Sequence, residues 1–119
     1  MYPEQETPLG AGWAIQADDA GVRIVRVGTD EMAWQMEWHQ VESIVVWKDD
    51  LFTYDIVCMG FAWAGSDVLK ILDEEMAGWD DLHRIIERKF GVSLHQWWLD
   101  VAVPAFSENR RAIWKRQAF

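Results

Sequence analysis

Residues 32–48 read Met32-Ala33-Trp34-Gln35-Met36-Glu37-Trp38-His39-Gln40-Val41-Glu42-Ser43-Ile44-Val45-Val46-Trp47-Lys48, and the rest of the chain is placed outward from them. Met32, Trp34, Met36 and Trp38 alternate with Ala33, Gln35, Glu37 and His39. A strict period of two predicts a strand with one face buried. Val41 to Lys48 follows as a β-branched and aromatic run, so a second strand begins where the first ends.

Upstream, Trp13-Ala14-Ile15 and Val22 to Val27 flank Asp18-Asp19-Ala20-Gly21, the pattern of a hairpin whose acidic turn uses Gly21 for a positive φ. Gly28-Thr29-Asp30 turns the chain into the Met32 strand. Residues 1–11, with Pro3, Pro8 and Gly10, read as a loose arm, and residues 12–119 as a single globular domain. Downstream, Tyr54 to Trp63 is another β run, and Gly65-Ser66-Asp67 leads into Val68 to Leu72, a sixth strand.

The pattern changes at Gly78. Trp79, Leu82, Ile85, Ile86 and Phe90 fall at helical spacing, with Asp80 and Asp81 in the first turn, Arg84, Arg88 and Lys89 after them, and Gly91 to end the helix. Ser93-Leu94-His95-Gln96 has the form of a capping box, predicting a short second helix that stops before Pro104. Residues 108–116 read as a last basic helical turn or two, with Ala112, Ile113 and Trp114 as its apolar side. The expected class is α+β: about six short antiparallel strands in a bent sheet or partly open barrel, an amphipathic helix over one open side, and a short helical C-terminal tail.

The spacing Trp38-x2-Val41-x2-Ile44, where one strand passes into the next, resembles the W-x2-V-x2-I pattern of bacterial domains of pleckstrin-homology-like fold. From Trp38 to Arg116 the chain is similar to small bacterial proteins of uncharacterised function. These combine W-x2-V-x2-I, a K-x-D…D hairpin, D-E-E-x2-G-W and P-A-F-x2-N before a basic end. The matching residues are Trp38, Val41, Ile44, Lys48, Asp50, Asp55, Asp73, Glu74, Glu75, Gly78, Trp79, Pro104, Ala105, Phe106 and Asn109. The resemblance implies a pleckstrin-like fold and brings no activity or site with it.

Composition narrows the function classes. A chain of 119 residues that is 50% apolar, with nine tryptophans, can bury a core without staples. The single Cys58, in Ile56-Val57-Cys58-Met59, reads as a buried, inert thiol. The first residues lack a basic-then-apolar leader, and no apolar run approaches the roughly 20 residues that span a bilayer, so a cytoplasmic protein is expected. A net charge of −9 with pI about 4.6 disfavours nucleic acid and anionic membrane, which are bound mainly through Lys and Arg. The charge is uneven. Residues 42–81 hold Glu42, Asp49, Asp50, Asp55, Asp67, Asp73, Glu74, Glu75, Asp80 and Asp81 against Lys48 and Lys70 alone, whereas the end of the chain is basic, with Arg110, Arg111, Lys115 and Arg116.

The stretch with the most chemistry is Trp47-Lys48-Asp49-Asp50-Leu51-Phe52-Thr53-Tyr54-Asp55. As a hairpin it puts Asp49 and Asp50 at the tip and Asp55 on the return strand, with Lys48 opposite Asp55 as a cross-strand ion pair. Asp73, Glu74 and Glu75 end the next strand and could join the tip, either as a solvated acidic face or as an all-oxygen cage for Mg²⁺ or Ca²⁺; their spacing matches no calcium loop. His39, His83 and His95 have no metal-ligand spacing, and there is no nucleophile elbow, phosphate loop or dinucleotide fingerprint.

Trp34, Trp38, Trp79 and Trp97 fall on apolar stripes and read as core. Phe52, Phe61 and Trp63 stand near turns, where an aromatic ringed by polar groups can anchor a partner. The expectation is a non-catalytic protein-binding domain, an immunity protein, inhibitor or adaptor. Its face would be formed around 49–55 and 73–81, with Asp49, Asp50, Phe52, Asp55, Trp63, Asp73, Glu74 and Glu75 as the contact residues, with no cofactor or metal, and would meet a protein with a basic surface. The alternative is a hydrolase using the carboxylates with a divalent metal. Phosphoinositide binding by fold analogy rests only on the basic end, and an unpaired sheet edge leaves a homodimer open.

Overall fold

The alternation at Met32 and the apolar run at Val41 do form successive strands, but the two belong to different sheets. The computed structural model describes residues 4–5, 12–50, 55–66, 68–93 and 111–116. Strands β2 (Trp13–Ala17), β3 (Gly21–Arg26) and β4 (Met32–Glu37) form an antiparallel three-stranded sheet in the order β2-β3-β4. A larger sheet has the order β1-β7-β6-β5-β8, from β1 (Glu4–Gln5), β5 (Val41–Asp50), β6 (Asp55–Trp63), β7 (Val68–Asp73) and β8 (Arg111–Lys115). Its pairings are antiparallel except β1 with β7. Among the described residues one α-helix, α1 (Trp79–Phe90), accompanies them, and neither sheet closes into a barrel.

The crossing from one sheet to the other is a single 3-10 turn, Trp38–Gln40, and W-x2-V-x2-I is its packing pattern. Trp38, Val41 and Ile44 are all buried. The Trp38 indole donates to the Asp18 carbonyl at 2.7 Å and meets the Phe90 ring edge-on at 5.8 Å. The Glu37 N–H donates to Gln40 Oε1 at 2.9 Å, so the turn is tied by its own side chain.

Strands β5 and β6 read as near-continuous apolar runs because both of their faces are buried. On one face Ile44, Val46, Val57, Met59, Phe61 and Leu72 share the main core with Ile15, Val22, Ile24 and Met36 of the small sheet and Trp79, Leu82, Ile85 and Ile86 of α1. On the other, Val45, Trp47, Ile56, Cys58, Leu69 and Ile71 form a second cluster. The helix thus buries the stripe its spacing predicted, against both predicted runs. Gly78 at its start holds φ 90°, and Gly91 at its end holds φ 66° and donates back to the Glu87 carbonyl.

Several expectations change. The six expected strands all form, but the described residues hold eight, because Glu4–Gln5, inside the stretch read as a loose arm, pairs with Val68 and Leu69, and because β8 is added. Residues 111–115 are not a helical turn. They extend along β5 with Ile44 opposite Trp114 and Val45 opposite Ala112, and Ile113 and Trp114 pack on the main core. A short segment with β-branched and aromatic residues takes the state its neighbouring edge offers. Gly21 needs no positive φ. The Asp18 carboxylate closes that turn by accepting from the Ala20 and Gly21 N–H groups, while Gly21 lies where an added Cβ would stand 2.2 Å from the Met36 carbonyl oxygen. The second helix over 93–103, Trp97 and the Pro104-Ala105-Phe106 segment lie outside the described residues, apart from Ser93. Among the described residues no helix is long and apolar enough to cross a membrane.

Candidate functional site

The hairpin expected around WKDDLFTYD forms, in a register that reassigns its charges. Asp50 lies opposite Asp55, Asp49 opposite Ile56 and Lys48 opposite Val57. The residue directly opposite Lys48 is thus Val57, and Asp55 stands two residues before it on the return strand. Lys48 lies on the side of β5 that carries Ile44 and Val46, and it is only 2% exposed. Residues 51–54, Phe52 among them, lie outside the described residues.

Asp73, Glu74 and Glu75 come to the same end of the large sheet, since Cys58 pairs with Asp73 and the next residues run toward the hairpin end. Two of the three carboxylates are used by the backbone. The Glu74 N–H donates to the Val57 carbonyl at 3.1 Å, and the Val57 N–H donates to Glu74 Oε1 at 2.8 Å, so Glu74 extends the β6–β7 ladder by one rung through its side chain. Asp73, 5% exposed, accepts the Glu75 N–H at 2.9 Å and shapes the turn that leads to the helix. A carboxylate bonded to backbone amides at a strand end is fixed in direction. Glu75 faces solvent.

That turn delivers the chain to the start of α1, where a cleft of about 480 Å³ opens between Glu74, Met76, Ala77, Gly78, Trp79, Asp80, Asp81 and Arg84. Asp80 and Asp81 are exposed in the first helical turn, where the helix dipole favours negative charge. Arg84, the only cation lining the cleft among the described residues, is ion-paired with Asp81. One turn along, His83 stacks on Trp79 at 4.7 Å between ring centroids. Burial pulls its pKa below the ordinary 6.5, against the opposing pull of Asp80 and Glu87.

Trp63 stands at the other end of β6 from Asp55, about 26 Å away for eight extended steps. It is half-buried and lines a larger cleft of about 810 Å³ with residues from β2, β3, β4 and the 3-10 turn, including Arg23, Gln35, Glu37 and Gln40. Lys70 lies near both Trp63 and Trp34, its Nζ 5.9 and 5.8 Å from the two ring centroids. That cation joins the small sheet to the large one by attraction to the aromatic faces. Phe61 is fully buried in the core.

The structure thus gathers the backbone positions of Asp49, Asp50 and Asp55, and residues Asp73, Glu74 and Glu75, at one end of the large sheet, and puts Trp63 elsewhere. Among the described residues no three His, Cys, Asp or Glu side chains form a group able to hold a metal ion. Sequence reasoning took Asp80 and Asp81 as helix-dipole residues within an acidic face around 49–55 and 73–81; their place beside Glu74 follows from the turn at Asp73. Lys70 gave no signal, since its two ring partners come from strands far away in sequence. No protein-family model, curated protein or solved structure matches the chain.

Proposed function

We propose that this is a non-catalytic protein-binding domain that uses its acidic end to meet a basic surface of another protein. The observation that carries the proposal is the cleft at the start of α1. Exposed Asp80 and Asp81 rim it, Glu74 lines it, Glu75 is exposed beside it, and Arg84 in its wall is paired with Asp81. The backbone of Asp49, Asp50 and Asp55 lies toward the same end of the large sheet, within a chain of net charge −9. Such a field raises the encounter rate with a cation-rich surface and repels nucleic acid and anionic lipid. An immunity protein, inhibitor or adaptor would use a surface of this kind. The proposed fold relationship is to the pleckstrin-homology-like domains, supported by W-x2-V-x2-I lying buried at the passage between two sheets.

Basic residues at the chain end favour a lipid headgroup less than an internal role. Arg116 donates to the carbonyls of His39 and Val41, at 2.7 Å each, and its guanidinium lies 5.5 Å from the Trp114 ring centroid. The test is a photo-crosslinking residue placed at position 75 in cells, with position 27 as the control. Recovery of a specific basic protein from position 75 alone is the expected result. Calorimetric titration with Mg²⁺, Mn²⁺ and Ca²⁺ is the companion measurement: micromolar binding of one of them, abolished by Asp50→Asn with Asp55→Asn, would replace the proposal by the metal-dependent hydrolase.

A further inference from the structure

We draw no further inference here: the strongest candidate, the cleft of about 810 Å³ that runs across the small sheet to Trp63, carries nothing, because its charged side chains, Asp18, Arg23 and Glu37, are exposed and of both signs, and nothing among the described residues shows what ligand or chain covers it.

Discussion

Gly78 holds a φ of 90° because only that conformation lets the chain turn from Ala77 into α1 against β2. A Cβ there would stand 2.1 Å from the Ile15 carbonyl oxygen. Gly78→Ala combines left-handed strain with overpacking, and should lower the unfolding free energy by about 2–4 kcal/mol in urea melts. A change within error would mean that the β2 contact yields easily. His83 supplies a pH dependence. Its pKa is lowered in the folded chain, so the unfolded chain binds the proton more tightly, and the associated stability is complete above pH 6.5 and lost as pH falls through the folded value. Melts at pH 7.5 and 5.5 should therefore show a loss in the wild type that His83→Gln reduces. Equal losses in the two proteins would place that sensitivity elsewhere. At this scale the sequence was only partly legible. The type of each residue announced Cys58, Phe90 and Gly91, but Lys48 and Glu74 looked like surface charges until the register put one inside the sheet and turned the other into a ladder partner.

At the scale of elements, α1 was legible because its apolar stripe, its acidic first turn and its closing glycine agree. Leu82 and Ile86 are fully buried against both sheets, so Leu82→Ala or Ile86→Ala should each cost about 2–5 kcal/mol in denaturant melts. Near-zero changes for both would show that the helix does not hold the core together. The strands from Trp13 to Asp73 were legible too, β4 from its period of two and the others from β-branched and aromatic runs bounded by turn residues. Strands β1 and β8 were not. Two residues pairing in parallel with β7, and a basic pentapeptide lying along β5, owe their state to an edge supplied by distant sequence. Arg116 then secures β8 through carbonyls of the 3-10 turn and β5, a contact no local pattern announces.

For the whole molecule, the decisive feature is the difference between the two ends of the large sheet. One end carries the hairpin backbone of Asp50 and Asp55 and the acidic cleft of α1; the other carries Trp63, Lys70 and the larger cleft lined by β2, β3 and β4. The excess of acidic residues over 42–81 was visible in the sequence, but its placement depends on β5, β6 and β7 running antiparallel, which sets residue 50 opposite 55 and residue 73 opposite Cys58, three residues along the same strand. Exposed carboxylates act on association over about 10 Å at 0.1 M salt, so their contribution is to encounter more than to residence time. The most direct test of the acidic end is the association rate with the protein captured from position 75, measured by stopped flow at 0.05 and 0.5 M salt for the wild type and for Glu75→Gln with Asp80→Asn and Asp81→Asn. The wild-type rate should fall about tenfold or more as salt rises, and the triple variant should start slower and fall less, with its melting unchanged. A rate that is independent of salt, or equal in the two proteins, would contradict binding through the acidic end.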